Sequence, residues 1–460
     1  MQQHTFKAGA AQVDITPPLG TVINGEFTSR YATKIADPLY AKALVLQAET
    51  STLIIVMVDI CAMQRDFIDD VKCAIERETG VSPRCQLIAS THAHSAGSVA
   101  DLLMGHVDWA YRQRLPALIV QAVKVAYASL QTARIGWGSV DQPQHLLCRR
   151  YRMEKDYLAI NPVTGGRDVI KTNPFGDEQH IEGPTTVPDP SLRYLAVQDA
   201  DGQWISLLAN YSLHYVGDCE RGTISADYFG YFARSLATKL GVGPDFIGMM
   251  SNGTSGEVNI WDFQEPDRYP KENHQKSRLI GEDLASAVIG SLSTVEWEPH
   301  PKLAVTHTNV PVGVRKPTEE ELTKAKQLIS ETDYEHIEFG QPRFLEQAYA
   351  REQALLNEFP DEKPFVVQSF RVGSGVIGAL GGEFFSETGR ALKESRPDQK
   401  YFTICLANDY VGYVPPAHEI EKGGYECWRC RTSYLAVDAA EKITRQLIQQ
   451  LDEYGNLVSH

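Results

Sequence analysis

The chain has 460 residues, with 44 Lys and Arg against 59 Asp and Glu, a formal charge of −15 at pH 7, and it is 43% hydrophobic and 22% charged. That composition is ordinary for a globular protein and excludes a disordered one. The acidic balance excludes a nucleic-acid binder, whose affinity comes from clustered Lys and Arg that displace counterions, and the longest apolar stretch, around Leu53 to Val58, ends at Asp59, well short of the roughly 20 residues of a membrane span.

At about 150 residues per domain the length suggests about three domains, or one large α/β domain with inserted loops. Met1 to Lys7 lacks the basic and then apolar pattern of a secretory signal. The eight scattered cysteines are expected to be reduced thiols in a cytoplasmic protein.

In chain order, Gly9 to Pro18 reads as a short strand stopped by two prolines. Leu39 to Gln47 and Thr52 to Cys61 read as paired strands, the second buried on both faces. Asp66 to Thr79 has apolar residues at helical spacing and ends at Gly80, a C-cap signal. The strand Gln86 to Ser90 runs into Thr91-His92-Ala93-His94-Ser95.

A helix over Arg114 to Ala133 precedes a strand over Ala133 to Gly138, and the Gly-, Pro- and Asn-rich segment from Asp141 to Pro190 is expected to be irregular. Leu192 to Val197 and Trp204 to Tyr211 form a hairpin around Asp201-Gly202. A helix over Tyr228 to Leu240 leads to the strand Phe246 to Met250 and a glycine-containing turn. Helices follow over Thr318 to Ser330, Arg343 to Glu358, Ser386 to Glu394 and Ser433 to Leu451, with strands over Phe365 to Val372, Val376 to Leu380 and Thr403 to Leu406. No repeat and no flexible linker interrupts this alternation, which implies one α/β body.

The residues with most chemical content sit just after strands. Alternate residues of an extended segment face one side, so His92 and His94 can converge on one pocket. His214, Glu383 and Tyr413 also follow strands, where α/β proteins gather functional groups. Spacing alone does not join these positions.

A resemblance does. Asp14-Ile15-Thr16-Pro17-Pro18, Ser90 to Ser95, Gly253 to Asn259, Gly382-Glu383-Phe384 with Gly389-Arg390, and Asn408 to Val414 leading to Tyr425-Glu426 resemble, in order, blocks of the neutral (alkaline, non-lysosomal) ceramidase family. The resemblance implies a single catalytic domain over 1–460, a mixed twisted sheet flanked by helices on both faces, without the C-terminal β-sandwich of ceramidases.

It also implies a Zn²⁺ cofactor held by His92, His214, Glu383 and Tyr413, a nitrogen and oxygen set that suits zinc and acidifies water. His94 would bond the substrate carbonyl or shuttle a proton, Tyr425 would be a second active-site tyrosine, and Arg149 would stand at the substrate end. The family's nucleophilic or substrate-positioning Ser is Asn259 here, and an amide cannot act as a hydroxyl nucleophile, so Asn259 is expected to orient substrate.

The reading is therefore a zinc-dependent, amidohydrolase-like hydrolase of a small soluble substrate. The positive charge of Arg149, Arg150, Arg152, Arg167 and Lys171 points to an anionic or polyhydroxylated one. Two rivals are a zinc-dependent lyase or isomerase acting on a sugar acid, and a non-catalytic carbohydrate-binding relative; a homo-oligomer stays open. Asp227 reads as an N-cap or as a partner of a ligand histidine, Asp59 as another such partner, and Cys427 and Cys430 as ordinary thiols beside Tyr425.

Overall fold

The computed structural model describes residues 5–456; the first four residues of the N-terminal segment read above lie outside it, as do 457–460. The elements that position the site are, in chain order, β1 (Lys7–Asp14), β2 (Tyr40–Ala48), β3 (Ser51–Val58), α1 (Arg65–Thr79), β4 (Gln86–Ser90), α2 (Trp109–Ala128), β5 (Gln131–Asp141), β6 (Ser191–Asp199), β7 (Trp204–Tyr211), α3 (Asp227–Leu240), β8 (Ile247–Asn252) and α4 (Gln275–Ser291). Then follow β9 (Leu303–Gly313), α5 (Glu319–Ser330), α6 (Phe344–Asn357), β10 (Glu362–Val372), β11 (Gly375–Leu380), β12 (Glu383–Phe384), α7 (Ser386–Glu394), β13 (Lys400–Ile404), β14 (Tyr413–Val414) and α8 (Ala439–Asn456).

The large sheet runs β8-β7-β6-β5-β1-β2-β3-β4, parallel at its two outermost pairs and antiparallel between. A smaller sheet runs β9-β10-β11-β13. Period-2 alternation dictates how they stack. Leu44, Leu46, Ile55 and Leu195 face Phe370, Ile377 and Phe402 of the smaller sheet, whereas Ala43, Val45, Val56 and Val58 face α1 and α2. Tyr194, Ala196 and Ala209 face α3 and α4, and the outer side of the smaller sheet carries α7 and α8. The mixed sheet flanked by helices is thus realised as two stacked sheets between helical layers.

Three local differences have physical reasons. The second helix starts at Trp109 because the Asp108 side chain accepts from the Tyr111 N–H at 3.0 Å. The segment 141–190 contains a small antiparallel sheet, in which Arg150–Met153 pairs with Ile170–Thr172 and Ile181–Pro184. Elements α4 and β9 are not among those predicted from the sequence, although Ile280, Leu284 and Val288 give α4 a buried stripe at helical spacing.

Candidate metal centre

Three chain reversals at strand ends bring the donors together. After β4 the chain bends back on β3, with the Thr91 N–H donating to Val58 O and the His92 N–H to Ile60 O, and His92 itself takes a left-handed φ of +75°. A non-glycine residue is held there only when its surroundings over-determine it. His92 and His94 therefore converge through this kink and not by extended alternation. His214 follows β7, and Glu383 in β12 stands opposite Tyr413 in β14.

His92 Nε2 lies 3.1 Å from His214 Nε2 and 3.4 Å from Glu383 Oε2, and His214 Nε2 lies 3.5 Å from the same oxygen. Ligands of a tetrahedral zinc with bonds of about 2.0 Å stand about 3.3 Å apart. Glu383 Oε2 is buried with no hydrogen-bond partner, while Oε1 accepts from the Tyr410 hydroxyl at 2.8 Å. A buried carboxylate oxygen left unsatisfied is costly unless a cation completes it.

The rings are aimed by backbone carbonyls: His92 Nδ1 is 2.8 Å from Cys61 O and His214 Nδ1 is 3.2 Å from Ser255 O. Such contacts orient the opposite nitrogen of a ligating imidazole. Burial opposes a charge on His92, yet the Glu383 carboxylate lifts it to about 10. Burial holds the His94 and His214 rings well below the ordinary histidine range, assisted by the neighbouring His92 and Arg149 charges.

His94 Nε2 lies 3.1 Å from His92 Nε2, and its ring stacks on Tyr215 at 3.5 Å. Tyr413 and Tyr425 meet edge to face at 5.6 Å, and burial pushes both phenols far above their usual range. These residues open on a cavity of about 520 Å³ whose walls include Phe27, Tyr215, Trp261, Phe339 and Trp428.

Other expectations are corrected. Three of the five cations of the basic cluster are not free to hold an anion, because they are already paired within the protein, whereas Arg152 and Arg167 stand exposed. Arg149 donates to Glu426 Oε1 and to Gly256 O, both at 2.7 Å, and its guanidinium lies 5.3 Å from the Tyr413 ring, so it does line the cavity. Arg150, fully buried, pairs with Glu426 at 2.8 Å and Glu419 at 2.9 Å, and Lys171 pairs with Asp177.

Asn259 sits behind the cavity wall, donating to Asn173, which lines the cavity in its place. Asp227 is the first residue of α3 and not its N-cap, yet its carboxylate accepts from the Tyr228 N–H at the helix start as well as from the Val216 and Gly217 N–H groups, which ties the loop after His214 to the helix. Asp59 accepts from the Tyr40 N–H at 2.9 Å. Cys427 and Cys430 are buried thiols bonded separately to Glu419 O and Thr432 Oγ1. Tyr410, Glu426 and the Cys61 carbonyl had no assigned role in the sequence reading, although Tyr410 and Glu426 lie inside the blocks that carry the resemblance.

The fold matches solved structures. Neutral ceramidase from Pseudomonas aeruginosa superposes with a TM-score of 0.69 at 16% identity, covering 97% of this chain and 74% of that one. A second structure, described as ceramidase complexed with C2, superposes with a TM-score of 0.68 at 15% identity and the same coverage. No protein-family model and no curated protein sequence matches the chain. The chain has a neutral-ceramidase-like fold.

Proposed function

We propose that the protein is a zinc-dependent hydrolase that cleaves an amide or related carbon–nitrogen bond of a small soluble substrate. The observation that carries this reading is the unsatisfied Glu383 Oε2 beside the Nε2 atoms of His92 and His214, at separations of 3.4 and 3.5 Å. Those three residues would hold the metal, with Tyr413 adjoining. When bound, zinc supplies Lewis-acid polarisation of a carbonyl and acidification of water.

The remaining work falls to the chain's own side chains. His94, fixed against Tyr215 and kept neutral by burial, is the group that takes and returns a proton at Nε2. Tyr425, whose phenol stays protonated, donates to the substrate oxygen on which charge develops. Arg149, already paired with Glu426, fixes the Tyr413 side of the cavity.

Of the basic cluster only Arg149 lines the cavity, and it is paired with Glu426, so selection passes to the aromatic walls, which favour a substrate with an apolar or aromatic portion over a polyanion. The eight unbridged cysteines support a reducing, cytoplasmic location. The test is metal analysis of the purified protein, followed by a panel of N-acyl amines assayed for released amine in isotopically labelled water. Stoichiometric zinc and label in the acid product are expected. Absence of bound metal overturns the reading, and turnover without label incorporation points instead to a lyase or isomerase.

A further inference from the structure

The inserted segment 141–190 places one further polar side chain on the cavity of the metal centre. Asn173 follows the strand Ile170–Thr172 and lines the cavity together with Thr172, Arg149 and Phe175, whose ring meets Trp261 edge to face at 5.3 Å. It takes a left-handed φ of +49°, which asparagine tolerates better than most residues that carry a Cβ.

Three of its four polar groups are engaged. The backbone N–H donates to Arg149 O at 2.8 Å, the backbone carbonyl accepts from the Phe175 N–H at 2.7 Å, and Oδ1 accepts from Asn259 Nδ2 at 2.5 Å. A backbone donor fixes how this amide pair is turned: the Trp261 N–H, which can only donate, meets Asn259 Oδ1 at 3.2 Å. Asn259 must then turn its Nδ2 to Asn173, and Asn173 must answer with Oδ1. The Asn173 Nδ2 is left without a partner among the described residues and stays accessible on the cavity. Neighbouring donors are already engaged, Thr172 Oγ1 with Glu426 Oε2 at 2.7 Å and Arg149 with Glu426 and Gly256 O. An amide N–H carries no net charge, so it suits an uncharged acceptor better than an anion that must be stripped of water.

We propose that Asn173 is a specificity-determining residue: its Nδ2 donates to a hydroxyl or carbonyl oxygen of the substrate, distinct from the scissile carbonyl, next to the apolar portion that packs on Phe175 and Trp261. Asn259 is a positioning residue that acts through it. The substrate class narrows to amides whose apolar portion carries a second, uncharged acceptor oxygen. The inference rests on the hydrolase reading for the bond that is cleaved, and on the cavity alone for the oxygen that is recognised.

The probes are phenylbutanamide and its three mono-oxo derivatives, which place a carbonyl oxygen at successive chain carbons. Their binding to the full-length protein is titrated by ligand-observed NMR, so that no turnover is needed. At least one oxo derivative should bind wild-type protein about threefold to tenfold tighter than phenylbutanamide, as expected for one neutral hydrogen bond. Asn173→Ala should abolish this preference while binding phenylbutanamide itself like wild type. Asn173→Asp keeps the size of the side chain and the bond from Asn259 but replaces the donor by an oxygen, so it too should abolish the preference and guards against a folding defect in the alanine variant. Asn259→Ala, which frees the Asn173 amide to rotate, should reduce it. Absence of any oxo preference in wild-type protein, or its survival in Asn173→Ala or Asn173→Asp, would overturn the proposal. Absence of bound zinc or of amine release would fail the hydrolase reading instead, and an oxo preference that depends on Asn173 would stand without it.

Discussion

Glu383 and Tyr413 face each other as register partners of a two-residue parallel ladder, fastened by the Glu383 N–H donating to Gly412 O at 2.8 Å. The ladder presents a carboxylate and a phenol side by side to the two histidines, and Tyr410 engages the other carboxylate oxygen. Glu383→Gln should therefore abolish stoichiometric zinc, and Tyr410→Phe should weaken zinc about 10- to 100-fold, the usual effect of losing a residue that orients a ligand. Competition with a chromophoric chelator reads both affinities; wild-type affinity in Glu383→Gln would remove this carboxylate from the metal site.

His94 Nε2 lies 3.1 Å from His92 Nε2 while its ring is stacked on Tyr215, and the proposed reading makes it a proton carrier and not a ligand. His94→Asn should keep its zinc while turnover falls about 10²- to 10⁴-fold, the usual range for loss of a positioned acid or base. Metal content and kcat measured on one preparation decide the matter. Loss of zinc along with activity would make His94 a ligand.

The residues that the fold gathers here, His92, His214, Glu383 and Tyr413, are legible in the sequence because each follows a strand, and all but His214 lie inside a block that carries the resemblance. What brings them together is not. His92 reaches its position through a left-handed kink, where extended alternation leads to a different backbone path. The charge of Arg149 and Arg150 reads as free in the sequence, since their shared partner Glu426 comes from a distant return of the chain. The α4 helix, by contrast, was open to reading from Ile280, Leu284 and Val288.

Glu426 carries two buried guanidinium groups, at 2.7 Å from Arg149 and 2.8 Å from Arg150. Removing its charge leaves Arg149 without its carboxylate and Arg150 with Glu419 alone. Glu426→Gln should lower stability by about 3–5 kcal/mol, the range for breaking a buried ion pair from one side. Urea unfolding measures this directly, and a change below about 0.5 kcal/mol would place the pair among interactions of surface strength.

Glu257 gives a pH signature. It lies buried against the start of α7, where the Ser386 N–H donates to both of its oxygens at 2.9 and 3.0 Å, and burial pushes its pKa up to about 7. An acid raised on folding binds more protons in the folded state than in the unfolded one between its two pKa values. Its contribution to stability is present at low pH and lost as pH rises from about 4.5 to 7. Glu257→Gln should flatten that part of the stability profile, giving urea midpoints that change less between pH 5 and pH 8. An identical pH slope in the variant would show that Glu257 does not titrate in this window.

Phe339 connects the cavity to the surface. It is 65% exposed, yet its ring stacks on Phe27 at 5.5 Å and an interplanar angle of 21°, and Phe27 in turn meets Tyr425 at 5.7 Å. Its ring also meets Phe344 edge to face at 5.4 Å, and its exposed side offers apolar surface to whatever enters the cavity. Phe339→Ser should lower stability by about 0.5–1.5 kcal/mol, the range for loss of an aromatic pair. For substrates with an apolar or aromatic portion it should raise KM about tenfold, the equivalent of about 1.4 kcal/mol of lost binding, with kcat nearly unchanged. A homologous series of acyl groups separates the outcomes. If KM rises equally for the shortest and longest members, Phe339 acts on access; if the rise grows with acyl length, its ring contacts the substrate directly.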